Sequence, residues 1–227
     1  MSKAMPQYLG HNQPRLPGEL GFSDLRIKEN IYRQIELAKF YGVYGFCFYY
    51  DWFDGERLLD LPFNEFINDK TIDFPFSICW VNESWTRQWG GASDVLLIVQ
   101  STSIESYKNF IKSCVGILTA SNYIKIGNRP ILTIYRPHHI PHAKEVISFC
   151  REFVKDKTGL DLYLIASLGS EQQEKESHKF LEVGFDTCSE FAITPQLPFM
   201  RKITAQKEFA CKISLRKAYN YEDFAKI

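Results

Sequence analysis

Five short, continuously apolar segments alternate with amphipathic segments along the chain, and this alternation constrains the fold more than any other feature. The apolar segments lie at 44–50, 74–80, 131–135, 162–167 and 185–191. Apolar residues at consecutive rather than alternate positions are typical of strands that are buried on both faces, as in parallel sheets. We therefore predict five parallel strands that are buried on both faces.

The segments between these strands repeat apolar residues at the spacing of helices that pack one face against a sheet. They lie at 27–40, 58–67, 104–118, 143–154 and 175–183. Gly42 supplies a C-terminal stop for the first helix, directly before the first strand. Helices and strands in regular alternation predict right-handed crossovers and a parallel sheet. Residues 95–100 interrupt this alternation, and we place them as an extra strand within an insertion.

The predicted fold class is α/β, specifically an incomplete (β/α)8 TIM-type barrel with about five of its eight units. The chain has 227 residues, and five strands fall short of a closed barrel. We assign residues 1–200 to the barrel segment and residues 201–227 to a helical C-terminal extension of the same domain. The alternative fold is an open doubly wound sheet, which accommodates five strands without truncation.

Composition and motifs exclude several classes of function. Lysine plus arginine equals aspartate plus glutamate at 27 each, so no basic stripe points to nucleic acid or an anionic membrane. No stretch has the roughly 20 apolar residues of a membrane span, and the first ten residues lack a signal peptide's apolar core. Phosphate-binding loops, serine-hydrolase elbows and zinc-site spacings are absent from the sequence. We expect a cytoplasmic protein without a metal or another cofactor.

Aromatic and polar side chains gather directly after the predicted strands, where ligands bind in parallel α/β folds. Aromatic rings can cover the C–H faces of a sugar while polar groups bind its hydroxyls, so this combination predicts a carbohydrate site. His11 and Gln13, in a polar loop near the N-terminus, are also candidates. The other candidate substrate-binding residues are Tyr50, Asp51, Trp52, Trp80, Asn82, Trp85, Arg87, Trp89, Tyr135 and Arg136.

Two carboxylates, Glu83 and Glu190, are the candidate catalytic residues. An acidic side chain directly beyond a buried strand is costly unless it has a partner or a function. Each therefore has a structural alternative. Glu83 can pair with Arg87 four residues on, and Glu190 can pair with a neighbouring arginine or lysine. Trp85 and Trp89 can likewise pack the insertion against the barrel instead of contacting a ligand.

Together these segments resemble the WbsX family, described as glycosyltransferases of bacterial surface-polysaccharide biosynthesis. That family is similar to glycoside hydrolase family 99, a group of endo-α-mannosidases and endo-α-mannanases. The resemblance implies a barrel of eight strands and a site for an oligosaccharide or sugar donor. It also implies a role in lipopolysaccharide or O-antigen assembly, with other polysaccharide-biosynthesis proteins as candidate partners. The matching residues follow the family's order at 10–21, 24–26, 34–39, 41–42, 45–50, 52–53, 73–76, 79–87, 89, 129–132, 135–137, 184–186 and 190–191.

The sequence also departs from the family pattern. Ser84 stands where the family usually has asparagine, and Asp51 where an aromatic residue is common. Family members carry a late W-N-E-W-type motif that resembles the catalytic segment of the hydrolases, and it does not occur here. We therefore expect Glu83 to bind substrate or stabilise charge, and the isolated chain to have little or no turnover. The alternative function is a non-catalytic carbohydrate-binding or scaffold remnant, and the choice between transferase and hydrolase stays open.

Overall fold

The structure is a computed structural model that describes residues 16–18, 21–87, 92–169 and 175–190. Residue contacts divide the chain into two compact units, one of which comprises Asp24–Phe191. All the elements described below belong to that unit. The predicted C-terminal helical extension, at residues 201–227, lies outside the described residues.

Helices and strands alternate along this unit in the predicted order. Two 3-10 turns, at Ile117–Thr119 and Pro137–His139, complete the regular structure of the described residues. The helices are α1 (Lys28–Phe40), α2 (Leu61–Asn68), α3 (Ile104–Cys114), α4 (Ala143–Thr158) and α5 (Ser177–Glu182). The strands are β1 (Phe46–Phe53), β2 (Glu56–Leu58), β3 (Phe76–Trp80), β4 (Trp85–Arg87), β5 (Ala92–Ile98), β6 (Lys125–Ile126), β7 (Arg129–Ile134), β8 (Tyr163–Leu168) and β9 (Thr187–Glu190).

The five predicted parallel strands form one sheet in the order β1-β3-β7-β8-β9. Strand β2 extends this sheet antiparallel to β1, β6 pairs antiparallel with β7, and β4 and β5 form a separate hairpin. The parallel strands thus follow one another in chain order, as they do around a (β/α)8 barrel. A doubly wound sheet instead reverses its strand order, and no reversal occurs among the described strands. The described strands form an open sheet and do not close on themselves.

The five predicted helices and the extra strand are confirmed. Gly42 has a φ of +72°, and its N–H donates to the carbonyl of Lys39 at 3.1 Å, so it ends α1 as predicted. Gly45 is needed for a different reason, because a Cβ at this position would lie 2.5 Å from the carbonyl oxygen of Pro75. The backbone before β1 therefore approaches the backbone before β3 too closely for any side chain.

Strand β1 is not buried on both faces, which corrects the expectation from its continuous apolar sequence. Phe48 and Tyr50 pack in the core with Phe63 of α2, whereas Cys47 and Tyr49 on the opposite face are exposed. The reason is that the helices of the described unit pack against one face of β1, and no described element covers the other. Strand β3, by contrast, is buried at every position, as predicted. The prediction is wrong for β9, which has no buried position, and β7 alternates buried and half-buried positions.

A network of charged groups holds the amino ends of the last strands together. Asp186, directly before β9, accepts from Arg129 at 2.6 Å and from Arg151 of α4 at 2.5 Å. It also accepts from the backbone N–H of Leu164 in β8 at 2.8 Å. Burial alone would raise the pKa of Asp186, but the Leu164 N–H and the two guanidinium groups lower it below its ordinary value. This network lies at the opposite end of the sheet from the predicted ligand site.

Candidate functional site

An ion pair joins the carboxyl ends of β3 and β7. The Nε of Arg136 donates to Oε2 of Glu83 at 2.7 Å, and both side chains are about a third exposed. Arg136, and not Arg87, is therefore the partner that the structure gives to Glu83. Because the pair is partly exposed, both groups are within reach of a ligand at the ends of the strands.

The side-chain amide of Asn82, which has no exposed surface, holds this pair in position. Its Oδ1 accepts from the backbone N–H of Arg136 at 2.8 Å, and its Nδ2 donates to the Arg136 carbonyl at 2.9 Å. The same Nδ2 donates to the hydroxyl of Tyr107 in α3 at 2.9 Å. The side chain thus continues the β3–β7 pairing beyond the last ladder residues, Trp80 and Ile134. Asn82 positions Glu83 and Arg136 through hydrogen bonds within the protein.

Two tyrosines extend the site along the sheet face that the described helices do not cover. The Tyr49 and Tyr135 rings meet edge to face with centroids 6.2 Å apart, and Tyr49 is 55% exposed. The guanidinium carbon of Arg136 lies 4.3 Å from the centre of the Tyr135 ring. Burial raises the pKa of Tyr135, partly offset by the charge of Arg136 and reinforced by that of Glu83. The exposed Tyr49 ring and the half-buried Tyr135 ring therefore form an aromatic platform that borders the ion pair.

Tyr49 was not among the residues singled out from the sequence. The signal that would have found it is its position between Phe48 and Tyr50. Neighbouring residues of a strand point to opposite faces, so two core aromatics on either side place Tyr49 on the other face. Asp51 shares that alternation and is half-buried. Burial raises the pKa of Asp51, with the nearby Arg57 opposing the shift.

Three of the predicted contact residues, Tyr50, Trp52 and Trp80, lie in the hydrophobic core with at most 2% of their surface exposed. The Trp80 ring stacks on Phe110 of α3 at a centroid distance of 3.8 Å, and its Nε1 donates to the Trp52 carbonyl at 3.3 Å. Burial raises the pKa of Tyr50 to about 12, and the guanidinium of Arg57 lies 4.3 Å from its ring centre. These aromatic side chains therefore pack in the core and support the ends of the strands.

The β4–β5 hairpin carries two more predicted residues. Trp85 is half-buried and meets the Phe53 ring edge to face at 5.4 Å, so it packs the hairpin against the end of β1. Arg87 is exposed. His11, Gln13 and Trp89 lie outside the described residues.

The second candidate carboxylate, Glu190, is exposed at the end of β9, where it pairs in register with Leu168 of β8. Strand β9 is three positions from β3 in the sheet. At about 4.8 Å per strand, this order separates the backbones of Glu83 and Glu190 by roughly 14 Å. The two carboxylates therefore lie at different parts of the same edge of the sheet.

A cleft of about 510 Å³ opens beside Glu83 on the side of the hairpin. Gln100, which follows β5, is buried in its wall, and the Gln100 N–H donates to Oγ of Ser84 at 3.0 Å. The His139 ring lies at another wall, with Nδ1 3.4 Å from the carbonyl oxygen of Asn82. The residues that line the cleft are Asn82, Glu83, Ser84, Gln100, Thr102, His139 and Pro141.

The described residues hold no group of three or more His, Cys, Asp or Glu side chains arranged to bind a metal ion. The five cysteines in the described part of the chain, Cys47, Cys79, Cys114, Cys150 and Cys188, are free thiols. None of the helices that the structure describes combines the length and apolar character needed to cross a bilayer.

Comparison with other proteins finds relatives by sequence and a solved structure with a similar fold. The protein WxcX of Xanthomonas campestris pv. campestris (strain B100), which is named as uncharacterised, is 35% identical over 207 residues. The match covers 91% of this chain and 29% of WxcX, and WxcX of strain ATCC 33913 gives the same values. The chain therefore spans less than a third of the length of these relatives.

A solved structure of a glycoside hydrolase-like protein has the same fold, with a TM-score of 0.58 at 12% sequence identity. The likeness covers 90% of this chain and 59% of that protein. The family model described as glycosyltransferase WbsX matches residues 1–226. On this evidence the chain belongs to the WbsX glycosyltransferase family.

Proposed function

We propose that this chain is part of a carbohydrate-active enzyme of bacterial surface-polysaccharide biosynthesis, and that its strand ends bind an oligosaccharide. The observation that carries the proposal is the Glu83–Arg136 pair beside the partly exposed platform of Tyr49 and Tyr135. Tyrosine rings can cover the C–H face of a sugar, while a carboxylate and a guanidinium group bind its hydroxyls. Family membership supports the class of substrate, and the cytoplasm is the proposed site of action.

The sheet, in this proposal, forms part of the wall of an eight-stranded barrel. Consecutive strand order and the likeness to a glycoside hydrolase-like protein support it. The uncovered face of β1, which carries Tyr49 and Asp51, would then face the interior of the barrel, near its ligand-binding end. Other proteins of polysaccharide biosynthesis are the proposed partners of the whole protein.

Glu83 is the carboxylate best placed to act on a bound sugar. Its hydrogen bond from Arg136 holds the carboxylate in place, which suits a group that binds hydroxyls or stabilises positive charge developing at an anomeric carbon. A glycosidase would need a second carboxyl group about 5 to 10 Å away. Glu190, three strands from β3 on the same edge of the sheet, is the candidate for that group.

The second candidate function is a carbohydrate-binding or scaffold segment without its own turnover, which needs only the hydrogen-bonding groups of the Glu83–Arg136 pair. The two functions differ in what the chain does to a bound glycan. The chain is incubated with an oligosaccharide, with and without an added nucleotide sugar. Turnover that is lost in Glu83→Gln would exclude the non-catalytic function. Binding without turnover is the result that the non-catalytic function predicts.

The test of the carbohydrate function itself is binding. Oligosaccharides that contain mannose, galactose or rhamnose are titrated into the full chain and followed by saturation-transfer NMR. We expect at least one to bind, and Glu83→Gln and Tyr135→Ala to weaken that binding about tenfold or more. Glu145→Gln, on the exposed surface of α4, is the matched control and should bind like the unaltered chain. The absence of binding by every member of the panel would refute the carbohydrate function.

A further inference from the structure

The residues that line the cleft beside Glu83 favour an uncharged ligand over a phosphorylated one. Its lining residues include one carboxylate, Glu83, and neither lysine nor arginine. The guanidinium of Arg136, the ion-pair partner of Glu83, donates to its carboxylate at 2.7 Å. A phosphate group in this cleft would therefore meet a carboxylate, with neither lysine nor arginine among the lining residues to bind it.

The amino end of α3, close to this cleft in the chain, is also satisfied by the protein. Ser103 is the N-cap residue, and its Oγ accepts from the backbone N–H of Ser106 at 3.1 Å. Helix amino ends bind anions through N–H groups that lack a partner, and this cap occupies one of them. The helix therefore offers less to an anion than an uncapped amino end would.

An unsatisfied acceptor is the second feature of the cleft. Gln100 is 4% exposed, its Nε2 donates to the Ser101 carbonyl at 3.2 Å, and its Oε1 has no hydrogen-bond partner among the residues that the structure describes. Buried polar groups in native proteins are nearly always paired, so an exception calls for an explanation. The oxygen itself has almost no exposed surface, but Gln100 lines the cleft, so a ligand hydroxyl would satisfy this oxygen once the side-chain amide turns towards the cleft.

We propose that this cleft is a subsite for an uncharged sugar ring, and that Gln100 accepts a hydrogen bond from one of the ring hydroxyls. The inference rests on the proposed carbohydrate function and adds a specificity to it. Glu83 and Gln100 supply acceptors, and the Ser84 and Thr102 hydroxyls can both donate and accept. Neighbouring hydroxyls of a pyranose match this set, whereas a sugar phosphate or the diphosphate of a nucleotide sugar does not.

The experiment compares neutral and phosphorylated forms of the same sugar on the full chain. The methyl α-glycosides of mannose, galactose and rhamnose are each titrated beside the corresponding glycosyl 1-phosphate, with saturation-transfer NMR as the readout. We expect at least one neutral glycoside to bind and its 1-phosphate to bind more weakly. A 1-phosphate that bound more tightly than its neutral counterpart would overturn the proposal.

Two variants test the residues. Gln100→Met keeps the length of the side chain and removes the acceptor, and Thr102→Val removes a hydroxyl from an exposed residue, where the fold is insensitive. Each should weaken binding of the neutral glycoside by about tenfold, the effect of one hydrogen bond. Gln34→Met on α1 is the matched control and should leave binding unchanged. Thermal unfolding checks that Gln100→Met still folds, and Thr102→Val carries the test if it does not.

The outcomes separate this inference from the broader function. If glycoside binding depends on Glu83 but on neither Gln100 nor Thr102, the carbohydrate function stands and the assignment of the cleft is wrong. If no glycoside or oligosaccharide binds the unaltered chain, both are wrong.

Discussion

The guanidinium Nε of Arg136 lies 2.7 Å from Oε2 of Glu83, and this contact links two residues that are 53 positions apart in the sequence. Each follows a strand of the same parallel pair, so the sheet itself brings them together. Their partial exposure decides what the contact contributes. Exposed ion pairs stabilise a fold by about 1 kcal/mol or less, so a role in binding explains this pair better than a role in folding.

Replacing Arg136 by methionine tests that distinction. We expect the free energy of unfolding to fall by less than about 1 kcal/mol, because water screens the pair. Glycan affinity should fall more, because Arg136 orients the Glu83 carboxylate and lies on the Tyr135 ring. Urea unfolding and NMR titration measure the two effects. Lys112→Met, at an exposed pair on α3, should change neither, and a stability loss of several kcal/mol in Arg136→Met would make the pair structural.

Asn82 should behave in the opposite way. Asn82→Ala leaves the N–H and carbonyl of Arg136 and the hydroxyl of Tyr107 without their partner, so we expect a loss of about 3 kcal/mol in unfolding free energy. Asn109→Ala, at an exposed position on α3, should cost little by comparison. Equilibrium urea unfolding compares the two variants. A loss below 1 kcal/mol in Asn82→Ala would mean that other groups hold the ends of β3 and β7 together.

The lowered pKa of Asp186 predicts how the free energy of unfolding depends on pH. Its pKa in the folded protein is lowered below the ordinary value of 3.8, so its contribution is fully present above that value. The contribution is lost as the pH falls through the lower folded pKa. Asp186→Asn should therefore reduce the free energy of unfolding by about 2 to 3 kcal/mol at neutral pH and by less in acid.

Urea unfolding between pH 2 and pH 7 measures this difference. The control is Asp156→Asn on α4, whose carboxylate is 72% exposed, and it should show no comparable loss at any pH. An equal effect of Asp186→Asn at both ends of the pH range would show that the charge of Asp186 is not what stabilises the network.

Substitutions of Trp80 and Trp85 should distinguish a role in core packing from a role in ligand binding. Trp80→Leu removes a ring that is 1% exposed and stacked on Phe110, so we expect a loss of about 3 kcal/mol or more. Trp85→Leu, at a half-buried ring on the hairpin, should cost less stability and more glycan affinity. Urea unfolding and NMR titration of both variants decide the matter. Binding loss in a folded Trp80→Leu protein without a stability loss would assign Trp80 to the ligand instead.

The parallel strands could be predicted because each is a continuous apolar segment between turn residues. The short strands β2, β4 and β6 could not, because three, three and two residues are too few to show a period. The exposed face of β1 was missed for a different reason. Tyr49 counts as apolar in the pattern, although its exposure depends on what covers that face of the sheet, which is a property of the fold.

The residues of the candidate site were easier to find than their roles. Position after a strand is a local signal, and it selected Glu83, Asn82 and Arg136 correctly as residues at the strand ends. Their partners depend on contacts between distant segments. Four-residue spacing suggested Arg87 for Glu83, but such spacing brings side chains together only on a helix, and residues 85–87 form a strand.

Asn82 is anchored to β7 and to α3, and both lie outside the β4–β5 hairpin that follows it. The segment between Glu83 and the start of α3 can therefore change in length or sequence while the carboxylate keeps its place. The side of the cleft that the hairpin forms can therefore vary while Asn82 and Glu83 stay in place. If the cleft binds glycans as proposed, a related chain with a different hairpin would bind a different glycan on an unchanged sheet.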